Sequence, residues 1–197
     1  RGANEMARRT IREIGQIFKH AIRNGLATHN PATDLAEAIK PHKTVNHSRI
    51  TSQQLPKLLK DIDAYQGDVL VKLGLWFLCY TFVRTNELRF MEWQDIDFNR
   101  GLWTVPAEKM KARRLHIVPL APQAVAILKQ IKALGFSDQY VFFNTSTRKP
   151  YSQSAFINAL WNMGYKGKMT GHGFRGLAST TLHEKEFMHE AIELQLA

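Results

Sequence analysis

The apolar positions along this chain change period twice. Residues 5 to 24 place Met6, Ile11, Ile14, Ile17, Phe18, Ala21 and Ile22 at spacings of three, four and seven, with Arg and Lys between them. That spacing predicts an amphipathic helix ending near Asn24-Gly25. Asn30-Pro31-Ala-Thr-Asp34-Leu35 reads as a turn into a short helix, and residues 41 to 48 are polar and aperiodic, as a linker would be. A second domain is expected to begin near Arg49. There Thr51-Ser52-Gln53-Gln54 offers an N-cap for a helix to about Asp63, and Gln66 to Tyr80 is apolar enough for a core helix. After Trp93 the pattern shortens to three β-prone runs: Asp95 to Phe98, Gly101 to Val105, and Leu115 to Val118 closed by Pro119. They predict a small antiparallel sheet whose last connection, Lys109-Met-Lys-Ala-Arg-Arg114, forms a basic hairpin tip. The helical period returns from Pro122 to Leu134. Tyr140 to Phe143 reads as another short strand or extended piece, Thr147 to Pro150 as a polar loop, and further helices are expected from about Ser152 and Gly173. The predicted class is α+β, mainly α: a helical domain with a small antiparallel three-stranded sheet, preceded by part of another helical domain.

Composition narrows what such a chain can be. Its 197 residues, 44% hydrophobic and 10% aromatic, are too apolar for a disordered polycation and suffice for one full domain with part of another. The longest apolar run, around Leu73 to Val83, is interrupted by Gly74 and ends at Arg84, short of the roughly 20 residues of a membrane span. The single cysteine, Cys79, allows no internal disulfide and fits a reducing compartment, cytosolic or nucleoid-associated. The net charge of +10 is not evenly spread. Residues 1 to 50 hold nine basic and four acidic side chains and residues 101 to 150 hold eight and two, while the remaining stretches are nearly neutral. Two basic blocks are the footprint expected of phosphate neutralisation on nucleic acid.

Three motifs carry candidate chemistry. Arg84 follows the core helix, with Glu87 three residues later. The hairpin tip holds Lys109, Lys111, Arg113 and Arg114. Near a predicted helix start, Gly171-His172-Gly-Phe-Arg175 puts an imidazole and a guanidinium three residues apart on one face, able to address one anion. Viewed singly, each has an ordinary structural explanation: a helix-terminal charge, a solvated hairpin end, a capping histidine. The eight His are scattered without metal-ligand spacing, so neither a metal nor a cofactor is expected.

Taken together, in this order and spacing, the motifs resemble the phage-type tyrosine recombinases, the integrase family. Thr81-Phe-Val-Arg84-Thr-Asn-Glu87-Leu-Arg-Phe-Met-Glu-Trp93-Gln-Asp95-Ile-Asp97 is similar to the family's first-arginine box, and His172-Gly-Phe-Arg175 to its second. Lys111, eight residues before Pro119, matches the hairpin lysine, with Lys109 as the fallback. The helix before Asn30-Pro31-Ala resembles the end of the family's core-binding domain. The resemblance implies three segments: 1–40 from that domain, 41–48 as linker, and 49–197 as the catalytic domain. It implies site-specific recombination at duplex DNA attachment sites, through a 3'-phosphotyrosyl intermediate, by enzymes that form tetramers on DNA. Arg84 and Arg175 would hold the nonbridging phosphate oxygens, Lys111 would protonate the leaving 5'-oxygen, and His172 would assist. Lys109, Arg113 and Arg114 become candidate DNA contacts, and Glu87 an orienting partner of Arg84.

The chain departs from the family in two ways. Family boxes commonly carry Gly where Phe82 and Asn86 stand; Asn86 is expected to keep the Gly-like turn and Phe82 to add packing. The family also has a His or Trp after the second box and then the nucleophilic Tyr. Tyr65, Tyr80, Tyr140, Tyr151 and Tyr165 all precede His172, and His183 and His189 come too soon. With no initiator Met and no helix stop at its end, the chain reads as a fragment that keeps the phosphate-activating residues and lacks the nucleophile. The competing reading is a noncatalytic DNA-binding or regulatory module with the same fold.

Overall fold

The computed structural model describes residues 3–38, 48–110 and 113–196. The chain divides into two compact units, Arg1–Asn46 and His47–Ala197. Of the linker read at 41–48, residues 41–47 lie outside the described residues.

The first unit pairs α1 (Ala3–Arg23) with α2 (Ala32–Ala38). Asn30 joins them. Its side-chain amide donates to the Gly15 carbonyl at 3.3 Å, and its Oδ1 accepts from the Ala32 backbone N–H at 3.0 Å. The apolar stripe that defined α1 in the sequence is not covered here. Met6, Ile14, Ile17 and Ile22 are exposed, because α2 covers only the side of α1 around Gly15 and Ala32.

In the second unit a 3-10 turn, Ser52–Gln54, leads into α3 (Leu55–Ala64). Then α4 (Val69–Thr81) runs through the core, apolar on nearly every side as a buried helix must be. It starts three residues later than the hydrophobic pattern because the Asp68 carboxylate caps it, accepting from the backbone N–H groups of Leu70 (2.8 Å) and Val71 (3.4 Å). Phe77 lies against Trp103 and Phe142, and Phe156 packs where a side chain at Gly74 would otherwise stand.

After α5 (Thr85–Arg89) comes the three-stranded antiparallel sheet, β1 (Ile96–Asp97), β2 (Leu102–Val105) and β3 (His116–Pro119), in that order. Its register pairs Trp103 with Val118 and Val105 with His116. Two-residue periodicity sends Trp103, Val105, His116 and Val118 inward. The remaining elements are α6 (Pro122–Ala133), the β4 (Phe143–Asn144) and β5 (Lys149–Pro150) hairpin, α7 (Ala155–Asn162), α8 (Gly171–Glu184) and α9 (His189–Leu196). The segment read as a polar loop around Thr147 to Pro150 thus contributes a strand. Its turn is closed by Asn144 Oδ1, which accepts from the backbone N–H groups of Ser146 and Thr147.

Candidate active site

The end of α4 and the start of α5 form one short turn that carries Arg84. Phe82 takes the left-handed conformation (φ 58°, ψ 17°) that ends α4, while Asn86 lies within α5. The expectation that Asn86 supplies the Gly-like turn is therefore incorrect. Chain reversal is required directly after Thr81, and Asn86 falls where helical backbone has resumed. Asn86 is exposed and its Oδ1 accepts from Arg89 Nη1 at 2.9 Å.

Glu87, 4% exposed, holds Arg84 twice. Oε2 accepts from the Arg84 backbone N–H at 2.8 Å and Oε1 from Arg84 Nη1 at 2.7 Å. The carboxylate thereby satisfies an N–H at the helix start and fixes a guanidinium in one step.

Helix α8 brings the second motif to the same place. Thr170 caps it by accepting from the Gly173 N–H at 3.0 Å. Gly171 lies so close to α5 that a Cβ there would meet Thr85 Cγ2 at 2.3 Å, so only glycine permits this approach. One turn on, Arg175 is half-buried and donates from Nη1 to the Phe82 carbonyl at 2.9 Å and from Nη2 to the Leu196 carbonyl. Burial, and then the neighbouring Arg84 charge, lower its pKa, while Glu87 and Glu193 oppose that fall. Two guanidiniums are thus held near one carboxylate, an arrangement suited to a doubly coordinated anion. His172 lies exposed in the first turn of α8.

The hairpin residues divide. The Lys109 ammonium lies 3.1 Å from Asp95 Oδ2 and 3.4 Å from Glu92 Oε1, and donates to the Phe90 carbonyl at 3.2 Å. It pins the base of the hairpin to the segment following α5. Arg113, with φ 51°, and Arg114 are both exposed. Lys111 lies outside the described residues. Among the described residues, no group of three or more His, Cys, Asp or Glu side chains is placed to hold a metal ion.

The family model for the phage integrase family matches residues 48–197. The chain belongs to that family. A second model, the phage integrase central domain, matches residues 1–38 of this integrase chain. It is 40% identical over 199 residues to the prophage integrase IntZ of Escherichia coli (strain K12), covering 100% of itself and 49% of that protein. Against the integrase of Shigella phage Sf6 the figures are 35% over 199 residues, 100% and 52%. The chain therefore spans about half the length of these relatives. Among solved structures it matches a lambda integrase(75-356) dimer bound to a COC' core site, with TM-score 0.77, 21% identity, and coverage of 100% of this chain and 72% of that one. A lambda integrase tetramer bound to a Holliday junction gives 0.75, 20%, 99% and 59%. These likenesses establish the integrase fold.

Three participants in the integrase chain's site escape a linear reading. His116 points inward from β3, buried within range of the charges of Glu87, Arg175 and Arg84. Burial first of all lowers its pKa, and Glu87 alone among these charges raises it. A histidine at an inward position of a strand is a detectable signal, but only once the register of β3 is known. The other two are backbone carbonyls, of Phe82 and Leu196, which no motif can advertise.

Proposed function

We propose that this chain is the part of a site-specific DNA recombinase that grips and activates the scissile phosphodiester. The observation that carries the proposal is the convergence of Arg84 and Arg175, one fixed by Glu87 and the other by the carbonyl two residues before Arg84. Attack by a hydroxyl on a phosphodiester builds negative charge on the nonbridging oxygens, and preorganised guanidiniums stabilise that charge most where water is excluded. Arg84 and Arg175 form this phosphate clamp. His172 hydrogen-bonds or transfers a proton at its edge, and Lys111, carried by the hairpin that Lys109 anchors, protonates the leaving 5'-oxygen. Arg113 and Arg114 contact the DNA backbone.

The attacking group is a tyrosine outside this chain, leaving a 3'-phosphotyrosyl bond and a free 5'-hydroxyl. Support comes from two of the five tyrosines present. Tyr151 and Tyr165 donate to Asp68 and Asp61, both at 2.6 Å, and burial followed by these hydrogen bonds raises both phenol pKa values. Such phenols are poor nucleophiles.

In a protein extended to its relatives' length, residues 1–40 and residues 49–197 each contact duplex attachment-site DNA in the bacterial nucleoid, and four copies assemble on it. The test is an att-site cleavage assay with the extended protein. Arg84→Ala and Arg175→Ala are each expected to abolish strand cleavage and retain most DNA binding; persistent cleavage overturns the clamp. The 197-residue chain alone is expected to bind duplex DNA weakly, with strong inverse salt dependence, and a covalent DNA adduct with it would overturn the missing-nucleophile reading.

A further inference from the structure

The last turn of α9 is tied to the clamp by two polar contacts in addition to its apolar face. Ile192 is the buried residue of α9, Leu196 is half-buried and Leu194 is 73% exposed, so the apolar seat of the helix end is narrow. That end is also held by a pair of hydrogen bonds from adjacent residues. Gln195 Nε2 donates to the Thr81 carbonyl at 2.7 Å, and the Leu196 carbonyl accepts from Arg175 Nη2. Thr81 and Phe82 are the last residue and the C-cap of α4, where carbonyls lack intrahelical donors. Gln195 fills one of these vacancies and Arg175 Nη1 the next.

The geometry has a consequence for Arg175. A guanidinium has five N–H donors in one plane. Two of them are spent, one on α4 and one on α9, and two anchors on different nitrogens fix the plane in which the other donors lie. The α4 anchor sits on a helix cap in the core. The α9 anchor is only as steady as the end of α9, and Gln195 is the side chain that steadies it.

We propose that Gln195 is a positioning residue of the clamp: by seating α9 on the Thr81 carbonyl it keeps the Leu196 carbonyl on Arg175 and sets that guanidinium's plane for the phosphate. The inference rests on the clamp reading of Arg84 and Arg175. A neutral amide suits the task, since it donates to a carbonyl without adding a charge that would repel or capture Arg175.

The variant Gln195→Met keeps side-chain length and removes the donor. In the extended protein it is expected to lower the single-turnover cleavage rate about 10- to 100-fold, the scale of effect that a small misplacement of a catalytic group produces, with duplex affinity unchanged. In the 197-residue chain, the side-chain N–H resonances of Arg175 are expected to exchange slowly with water, and Gln195→Met to speed that exchange selectively. Unchanged cleavage, or a parallel loss of affinity and rate, overturns the positioning role, as does unchanged Arg175 exchange. If Arg84→Ala and Arg175→Ala also leave cleavage intact, the clamp reading has failed instead, so the two failures are distinguishable.

Discussion

Arg175 donates from Nη1 to the carbonyl of Phe82 across a separation of 93 residues, joining the second arginine to the turn that presents the first. The Phe82 carbonyl and the Arg84 backbone belong to one three-residue stretch closed by Glu87, so a single turn of backbone anchors both arginines.

Glu87 should therefore matter for stability as well as for orientation. Glu87→Ala leaves the Arg84 N–H and a partly buried guanidinium without their acceptor, and is expected to cost about 2 kcal/mol. Urea unfolding of the chain measures it. A loss below a few tenths of a kcal/mol would show that solvent replaces the carboxylate without penalty.

The contact between Gly171 and Thr85 predicts a coupled pair. Gly171→Ala drives a methyl group into Thr85 Cγ2 and is expected to destabilise by about 1–3 kcal/mol, as overpacking does. Thr85→Ser removes that Cγ2, and the next atoms, Cβ and Oγ1, lie at 3.5 Å, an ordinary contact distance. The double variant should recover much of the loss, and a double-mutant cycle reads the coupling. Additive effects would refute the contact.

His116 gives the fold a pH dependence whose sign is fixed. Its folded pKa is lowered by burial from the ordinary 6.5, so above that value the imidazole is neutral in both the folded and unfolded states and contributes nothing. As pH falls below about 6.5, the unfolded chain takes up a proton that the folded chain does not, and stability is lost until the folded pKa is reached. Chemical denaturation between pH 7.5 and 5 should follow this course, and His116→Gln should flatten it. An equal slope in the variant assigns the dependence elsewhere.

Under the proposed function the hairpin's basic residues have two jobs, anchoring for Lys109 and DNA contact for Arg113 and Arg114. Lys109→Met strands the Glu92 and Asp95 carboxylates and should lower stability. Arg113→Ala and Arg114→Ala should leave stability alone, and each should reduce the slope of log K against log salt by about 0.9 for every phosphate left unneutralised. A Lys109→Met variant of normal stability whose salt slope has dropped would reverse the assignment.

Much of this fold is legible in the sequence because its elements have local causes. Helix α4 declares itself by an apolar run that nothing but burial explains, and β2 and β3 by short β-prone runs around a basic turn. The β5 half of the β4–β5 hairpin does not, since its two residues, Lys149 and Pro150, lie in a polar stretch with no apolar pattern to detect. The candidate arginines are visible as motifs, and so is Glu87 as the partner that orients Arg84, but what orients Arg175 is not. Local rules favour Asn over Phe for a left-handed turn, yet Phe82 takes it, its carbonyl and that of Thr81 being met by Arg175 and Gln195, 93 and 114 residues away. Donors that distant leave no trace near position 82.

The bonds that orient Arg175 also impose an order on synthesis. A chain emerging from the ribosome acquires Arg84 well before Gln195 and Leu196, and Arg175 some twenty residues before them, so both charges are present before the contacts that orient Arg175 can form. Contacts that close so long a stretch form late in folding. A nascent or partly folded chain thus carries the charge of both arginines, while the oriented pair of guanidiniums is withheld until the polypeptide has closed on itself.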